Sequence, residues 1–439
     1  MSNDNNYGLE TLSIHTGCGP CPATGARTIP IHQTTAYVFK DADHGADLFA
    51  LRDTGFVYSR LTNPTVGAME EKIAALDGGS AATAAASGHA AQLLVLSALM
   101  SPGDHVVNSC KLYGGSVNQF AQVFPDMFGW ENTTFNPANA EEARAAITPK
   151  TKAIFAESLS NPEGVVADIA GLAEVAKEAG IPLIIDNTMA TPYLCKPIEH
   201  GANVVTYSTT KFLSGHGNAM GGAVVDGGNF DWTAHADKFP RLTKPNKGYN
   251  GLVFTDAFGP AALAMHNHAV GLRDLGMNQQ PFNAYLTFIG METLALRMQK
   301  HCDNAQTIAE HLQNHDKIEW VSYAGLDSSE HKANANKYMK GYGGAVFTVG
   351  MKGGYDACVT MVKDLKLFSH LANIGDTRSL IIHPASTTHS QLDSEGRAKA
   401  GAADNVLRIS IGIETVEDLI ADLNRVLDSI PSTQSSKAA

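Results

Sequence analysis

The chain has 439 residues, 44% hydrophobic and 17% charged, a balance that excludes a disordered chain and is long enough for two domains. Its formal charge of -12, from 32 basic against 44 acidic residues, argues against broad nucleic-acid binding and leaves room only for a local basic pocket. Six cysteines are too few for a disulfide framework at this length, and no run approaches the roughly 18 apolar residues of a membrane span.

The opening MSNDNNYGLETLS lacks both a basic and an apolar leader segment, so a soluble cytoplasmic protein is expected, with no membrane or nucleic-acid partner. Residues 1–63 are rich in Gly, Pro, Thr and Asp and read as an extended arm. A helix is predicted from Pro64 to Leu76, stopped by the turn Asp77-Gly78-Gly79. Strand and helix signals then alternate. Ala90 to Met100 is helical, His105 to Val107 a strand, Lys152 to Glu157 a strand, and Ile169 to Ala179 an amphipathic helix closed by Gly180. Pro182 to Asp186, Val204 to Ser208 and Gly222 to Asp226 are buried strands.

Apolar strands separated by helices imply a mostly parallel sheet covered on both faces, with ligands at the carboxyl ends of its strands. That places Asp186, Ser208 and Lys211 on one rim. Residues 230–256 interrupt the alternation with aromatic and basic residues (Trp232, Lys238, Arg241, Lys244, Lys247, Tyr249). They read as an insertion that is a subunit contact, a substrate gate or a solvated loop. A helical stretch follows from Pro281 to Gln313. Strands at Ala345 to Val349 and Leu407 to Ile411 and a helix at Val416 to Ile430 mark a second, smaller α/β domain, ending in the polar tail 432–439. The expected division is an arm (1–63), a large domain (64–280) and a small domain (281–439).

Four segments carry chemistry. In LIIDNT, Asp186 ends an apolar run, and in YSTTK, Lys211 follows the next strand 25 positions on. A lysine amine that holds an aldehyde, a carboxylate facing a pyridine nitrogen, and hydroxyls for a phosphate are what pyridoxal phosphate asks of a protein. Lys211, Asp186, and the pair Ser208 and Thr210 offer them. Ala86-Ser87-Gly88-His89-Ala90 is a small turn that opens a helix, where free N–H groups and the helix dipole favour phosphate. Arg60, in Tyr58-Ser59-Arg60, offers a guanidinium fork for the same group. Tyr113, in Lys111-Leu112-Tyr113-Gly114-Gly115, offers a ring to stack on the pyridine. Each piece alone is weak; together they point to a pyridoxal-phosphate enzyme.

YSRLTNPT, ASGHAA, LYGG, ESLSNPEG, IIDNT, YSTTKFLSGHG, HPASTTH and VLRISIGIE resemble, in order, segments of the cysteine/methionine-metabolism family of fold-type I pyridoxal-phosphate enzymes. The resemblance implies an α/β fold with a mostly parallel large-domain sheet flanked by helices and a smaller C-terminal α/β domain. It implies that Lys211 holds the cofactor as a Schiff base and later moves the α-proton, and that Asp186 pairs the ring nitrogen. Tyr113 would stack on the ring and assist proton transfer, and Asn161 would reach the 3′-oxygen. Ser87, Gly88, His89, Ser208 and Thr210 would hold the phosphate. Tyr58 and Arg60 would reach the phosphate of a neighbouring subunit in a homotetramer built from dimers, with Tyr58 also near substrate. Arg408 would clamp the substrate α-carboxylate, supported by Asn373.

The opening TGARTIPIHQTTAYVF, the segment HGADLFAL and the insertion KFPRLTKPNKGYNGLVFTDAFG resemble the sulfhydrylase branch of the family. Gly115, where methionine γ-lyases typically carry Cys, points the same way. The implied reaction is γ-replacement on O-acetyl-L-homoserine by sulfide or methanethiol, giving homocysteine or methionine and acetate. A methionine or cystathionine γ-lyase, or a γ-synthase that uses O-succinylhomoserine, stays open as an alternative.

Three patterns are weighed as decoys. Cys18-Gly-Pro-Cys21 has redox spacing but lies in a Gly/Pro-rich arm without a preceding strand. Ser208-Thr-Thr-Lys211 matches a penicillin-recognising pattern without its S-D-N and K-T-G partners. Gly215-His-Gly217 resembles a dinucleotide loop at the wrong place and spacing. The 17 histidines show no metal spacing, and no metal is expected.

Overall fold

The computed structural model of the chain describes residues 7–388, 390, 391, 393–399 and 401–431. The polar tail 432–439 and the final residue of HPASTTH, His389, lie outside them. Seven strands make the first sheet: β1 (Ala81–Ala85), β2 (His105–Ser109), β3 (Glu131–Phe135), β4 (Thr151–Glu157), β5 (Leu183–Asp186), β6 (Val204–Tyr207) and β7 (Gly222–Asp226). Their order is β1-β7-β6-β5-β4-β2-β3. From β6 through β3 every pair is parallel, and β7 alone runs antiparallel to its neighbours β6 and β1. Strands β5, β6 and β7 are buried at every position, as an interior parallel sheet covered on both faces requires.

Two strands have little sequence signal. β1 is AATAA, built of residues with weak strand preference that suit a strand packed tightly under helices. β3 is ENTTF, an edge strand mostly open to solvent. The arm also contains two short helices, Leu9–His15 and Ala42–Phe49, rather than extended chain alone.

The helix stops and starts follow local chemistry. Asn63 caps the Pro64–Asp77 helix by accepting from the Thr65 and Val66 amides, and the helix ends at Gly78 with φ +75°. Ser87 caps Gly88–Leu99 through the Ala90 amide. The predicted stretch from Pro281 to Gln313 is two helices, Pro281–Glu292 and Leu294–Gln313, broken at Thr293.

Two compact units result. Among the described residues, the first holds those of 7–158, 167–214 and 218–294, and the second those of 159–166, 215–217 and 295–431. The arm therefore packs as part of the first unit, and so does the Pro281–Glu292 helix. The second unit contains β8 (Ile318–Ser322), β9 (Val346–Met351), β10 (Ser369–His370), β11 (Leu380–Ile382) and β12 (Val406–Ser410), ordered β10-β11-β12-β9-β8. Only the β10–β11 pair is parallel. Ile308, Leu312, Phe347, Met361, Leu407, Leu423 and Val426 join strands and helices of this unit in one core. No helix among the described residues is long and apolar enough to cross a membrane.

The insertion docks at the rim away from the strand ends that bear Asp186 and Ser87. Lys238 Nζ donates to the Ala179 carbonyl at 2.5 Å, at the C-terminus of the Ile169–Ala179 helix. Arg241 Nη1 donates to the Met100 carbonyl at 2.7 Å, at the C-terminus of the helix that Ser87 opens. The twelve helical residues from Gly88 to Leu99, about 18 Å, separate Met100 from Ser87. Phe230, Trp232 and Phe239 pack ring against ring beneath these caps. Lys238 and Arg241 are thus cations placed on helix C-termini, where the unsatisfied carbonyls and the dipole favour them.

Candidate active site

The carboxyl ends of β1, β2, β4, β5 and β6 share one rim of the first sheet, which follows from their common direction. Asp186 is the last residue of β5 and is buried. Its carboxylate accepts from the Thr188 amide at 3.0 Å, Thr206 Oγ1 at 3.2 Å and Gln92 Nε2 at 3.4 Å. Burial raises its pKa, and the three hydrogen bonds only partly offset this. A buried carboxylate in this state gains from a cationic N–H, which a protonated pyridine ring provides.

Opposite it lies a cradle built by close backbone approach. A Cβ on Gly88 would stand 2.8 Å from Ser208 Cβ and 3.1 Å from its Cα, so only glycine lets the helix N-terminus meet the turn after β6. A Cβ on Gly222 would run into the Ser87 carbonyl. Ser87, Gly88 and Ser208 therefore converge, with the free amides of a 12-residue helix beside two hydroxyls. This fits a phosphate. Thr188, whose amide serves Asp186, also accepts from the Ser208 amide through Oγ1 at 2.8 Å. One residue thus ties the ring-nitrogen carboxylate to the phosphate turn.

Thr210 makes a reciprocal pair with Gly221: Oγ1 donates to its carbonyl at 3.2 Å and accepts from its amide at 3.0 Å. Its hydroxyl hydrogen is committed to that turn. Lys211 is half-buried, and its amide bonds to the Ser208 carbonyl at 3.2 Å.

Tyr113 follows β2. Its ring is about half exposed, and its amide donates to Glu157 Oε1 at 2.6 Å. The His89 ring lies 5.9 Å from it, centroid to centroid. Burial lowers the His89 pKa, and its Nε2 has no hydrogen-bond partner among the described residues. Gly115 makes this contact possible. A Cβ there would stand 2.6 Å from Tyr113 Cε1 and 2.7 Å from His89 Cε1.

Tyr58 and Arg60 stand apart from the cradle within the chain. They line an open cavity of about 350 Å³ with Thr34, Thr35, Asn278 and Gln280. The Arg60 guanidinium lies 5.2 Å from the Tyr58 ring centroid. In the second unit, Arg408 on β12 donates through Nη1 to Asn161 Oδ1 at 3.5 Å and through Nη2 to the Asn373 carbonyl at 3.2 Å. These three residues are brought together as a group, and Asn373 takes part through its backbone. The Asn161–Pro162 bond is cis.

Sequence reasoning passed over Gln92, Glu157, Thr188 and Thr206. Gln92 left a signal: it is a polar residue within the otherwise apolar GHAAQLLVLSAL. The two thiols of Cys18-Gly-Pro-Cys21 sit in the turn after the Leu9–His15 helix, where Arg27 Nη1 lies 3.0 Å from Cys18 Sγ. Cys18, Cys21, Cys195, Cys302 and Cys358 are free thiols.

A profile described as Cys/Met metabolism PLP-dependent enzyme matches residues 10–428. The chain belongs to this family. An O-acetyl-L-homoserine sulfhydrylase from Thermus thermophilus is 47% identical over 420 residues, 95% of this chain and 99% of the relative. A homocysteine synthase from Schizosaccharomyces pombe is 44% identical over 96% of this chain and 98% of its own length. A crystal structure of a candidate O-acetylhomoserine (thiol)-lyase from Campylobacter jejuni, carrying a pyridoxyl-lysine monophosphate residue, superposes with a TM-score of 0.92 at 38% identity. It covers 96% of this chain and 100% of that one. The family's fold-type I architecture and its cofactor, pyridoxal phosphate, hold for this chain, and the cradle accommodates that cofactor.

Proposed function

We propose that the enzyme catalyses γ-replacement on O-acetyl-L-homoserine, with sulfide or methanethiol displacing acetate to give homocysteine or methionine. The observation that carries this reading is similarity along nearly the whole chain to O-acetyl-L-homoserine sulfhydrylases and homocysteine synthases at 40–47% identity. When bound, pyridoxal phosphate supplies an electron sink for charge developing at the substrate α-carbon.

The chain's own groups divide the remaining work. Lys211 Nζ would hold the cofactor aldehyde and, once freed, take the α-proton; Lys211, after passing that proton on, or a neighbouring group would take the second proton from the β-carbon. The Asp186 carboxylate holds the ring N–H. Ser87, Gly88, His89 and Ser208 would surround the phosphate, with Thr210 bracing the turn beside it through Gly221. Tyr113 would stack on the ring, and its phenol would assist proton transfer. Arg408 grips the substrate α-carboxylate, oriented by Asn161 and Asn373, and Asn161 also serves the cofactor 3′-oxygen. An arginine fork suits a carboxylate because two parallel N–H groups meet two oxygens.

In the same reading the enzyme is a cytoplasmic homotetramer assembled from dimers. The 1–63 arm contacts the neighbouring subunit, whose phosphate and substrate receive Tyr58 and Arg60. The exposure of both side chains supports this.

Crossing O-acetyl- and O-succinylhomoserine with sulfide, methanethiol and cysteine, read by product mass, tests the reaction. Homocysteine from the acetyl ester and sulfide is expected. Release of 2-oxobutyrate without thiol incorporation would replace the reading by γ-elimination. Lys211→Ala should lose both turnover and the cofactor's visible absorbance.

A further inference from the structure

The turn that carries Arg60 is held from two sides, and neither hold belongs to the cradle. Within the turn, the Leu61 and Thr62 amides both bond to the Tyr58 carbonyl, at 2.9 and 3.2 Å. On one side, Asn63 Nδ2 reaches Ser59 Oγ at 3.0 Å, the Tyr37 hydroxyl at 3.1 Å and the His32 carbonyl at 2.8 Å. On the other, His268 Nδ1 lies 2.9 Å from the Leu61 carbonyl, one residue past Arg60. His268 Nε2 faces Glu70 Oε1 at 3.3 Å and the Ala82 carbonyl at 3.4 Å.

Both ring nitrogens of His268 thus face only oxygen acceptors. A neutral imidazole would turn a lone pair on one of them, so the ring carries its proton on each side. Burial by itself would lower its pKa, but the Glu70 carboxylate outweighs this and the group rises to about 9. Glu70 in turn accepts from the Ala84 amide at 2.7 Å, in β1, three residues before Ser87. The chain of contacts runs from the Arg60 turn through His268 and Glu70 to the strand that ends in the phosphate cradle.

We propose that His268, paired with Glu70, is a positioning residue for Arg60, fixing its turn against β1 of the same subunit so that the turn presents Arg60 to the neighbouring subunit's phosphate. The proposal rests on the reading of Arg60 as a phosphate ligand. Its elements agree: Arg60 is exposed on a turn whose entry is bridged to Ala36 at Tyr58, while its exit at Leu61 is held by a charged pair that also bonds the Ala82 carbonyl and the Ala84 amide of β1. Glu70 meets β1 at Ala84 and His268 meets the turn at Leu61, so coupling to Arg60 separates an effect passed through the turn from one passed through β1.

A double-mutant cycle on the holoenzyme tests this, reading release of pyridoxal phosphate on dilution by absorbance and the melting temperature alongside. Arg60→Ala is expected to weaken cofactor retention at least tenfold. His268→Gln should weaken it about tenfold, the size of one charge-assisted bond lost. In the Arg60→Ala background, His268→Gln should change retention less than twofold while lowering the melting temperature as much as in the parent.

If the two effects multiply, or His268→Gln leaves retention unchanged, His268 does not act through Arg60. If Arg60→Ala itself retains cofactor normally, the phosphate reading of Arg60 fails and the positioning role falls with it. Glu70→Gln keeps the oxygen that accepts from Ala84 while removing the charge. It should reproduce the His268→Gln pattern, and it serves in its place if that variant does not fold.

Discussion

Asp77 closes the Pro64–Asp77 helix fully buried, with Oδ1 accepting from the Tyr207 hydroxyl at 2.7 Å and Oδ2 without a partner among the described residues. Burial pushes its pKa up from 3.8 to about 7, against the hydrogen bond from Tyr207 and the charge of Lys196. A carboxyl whose folded value lies above its unfolded value favours the protonated form in the fold. Its stability contribution is therefore intact below about pH 4, is lost progressively as the pH climbs to about 7, and stays lost above that.

At about 1.4 kcal/mol for each pH unit, the rise sets a ceiling of about 4 kcal/mol. Asp77→Asn keeps the oxygen that Tyr207 needs and cannot ionise. Urea unfolding of both proteins at pH 5, 6, 7 and 8 should show the variant gaining on the parent by up to about 3 kcal/mol from pH 5 upward, the part of that ceiling lying above pH 5, with the difference flat above pH 7. A difference that does not vary with pH would refute the reasoning, because Asp77 would then be neutral throughout or charged at no cost.

Other substitutions probe the site and its frame. Gly88→Ala should force the cradle apart at Ser208 and cost cofactor retention tenfold or more, at about 1–3 kcal/mol of overpacking; unchanged cofactor release would show that the turn yields freely. Gly115→Ala should displace the Tyr113 ring from His89, cutting kcat/KM by up to about a hundredfold while the cofactor stays bound. Parental kinetics in that variant would mean the ring position is not critical. Lys238→Ala and Arg241→Ala should each lower stability by about 1 kcal/mol in melting experiments and leave KM untouched. A raised KM in either would return the insertion to a gating role.

The sequence by itself determined what depends on near neighbours. Asp186 at the end of LIID, Ser87 before an apolar helix, and the Ile169–Ala179 helix closed by Gly180 were readable because periodicity, capping and turn chemistry act over a few residues. Tertiary structure alone decided the rest. Asp77 reads as a turn residue, and only the packing of Tyr207, 130 positions away, makes it a buried acid. Arg408 meets Asn161 across 247 positions, and His268 meets Leu61 across 207. The insertion's basic residues look free to gate a substrate until the fold sets Arg241 on a carbonyl 141 positions upstream. A polar side chain's burial and partners are properties of the elements that meet at it, and no local pattern records which elements those are.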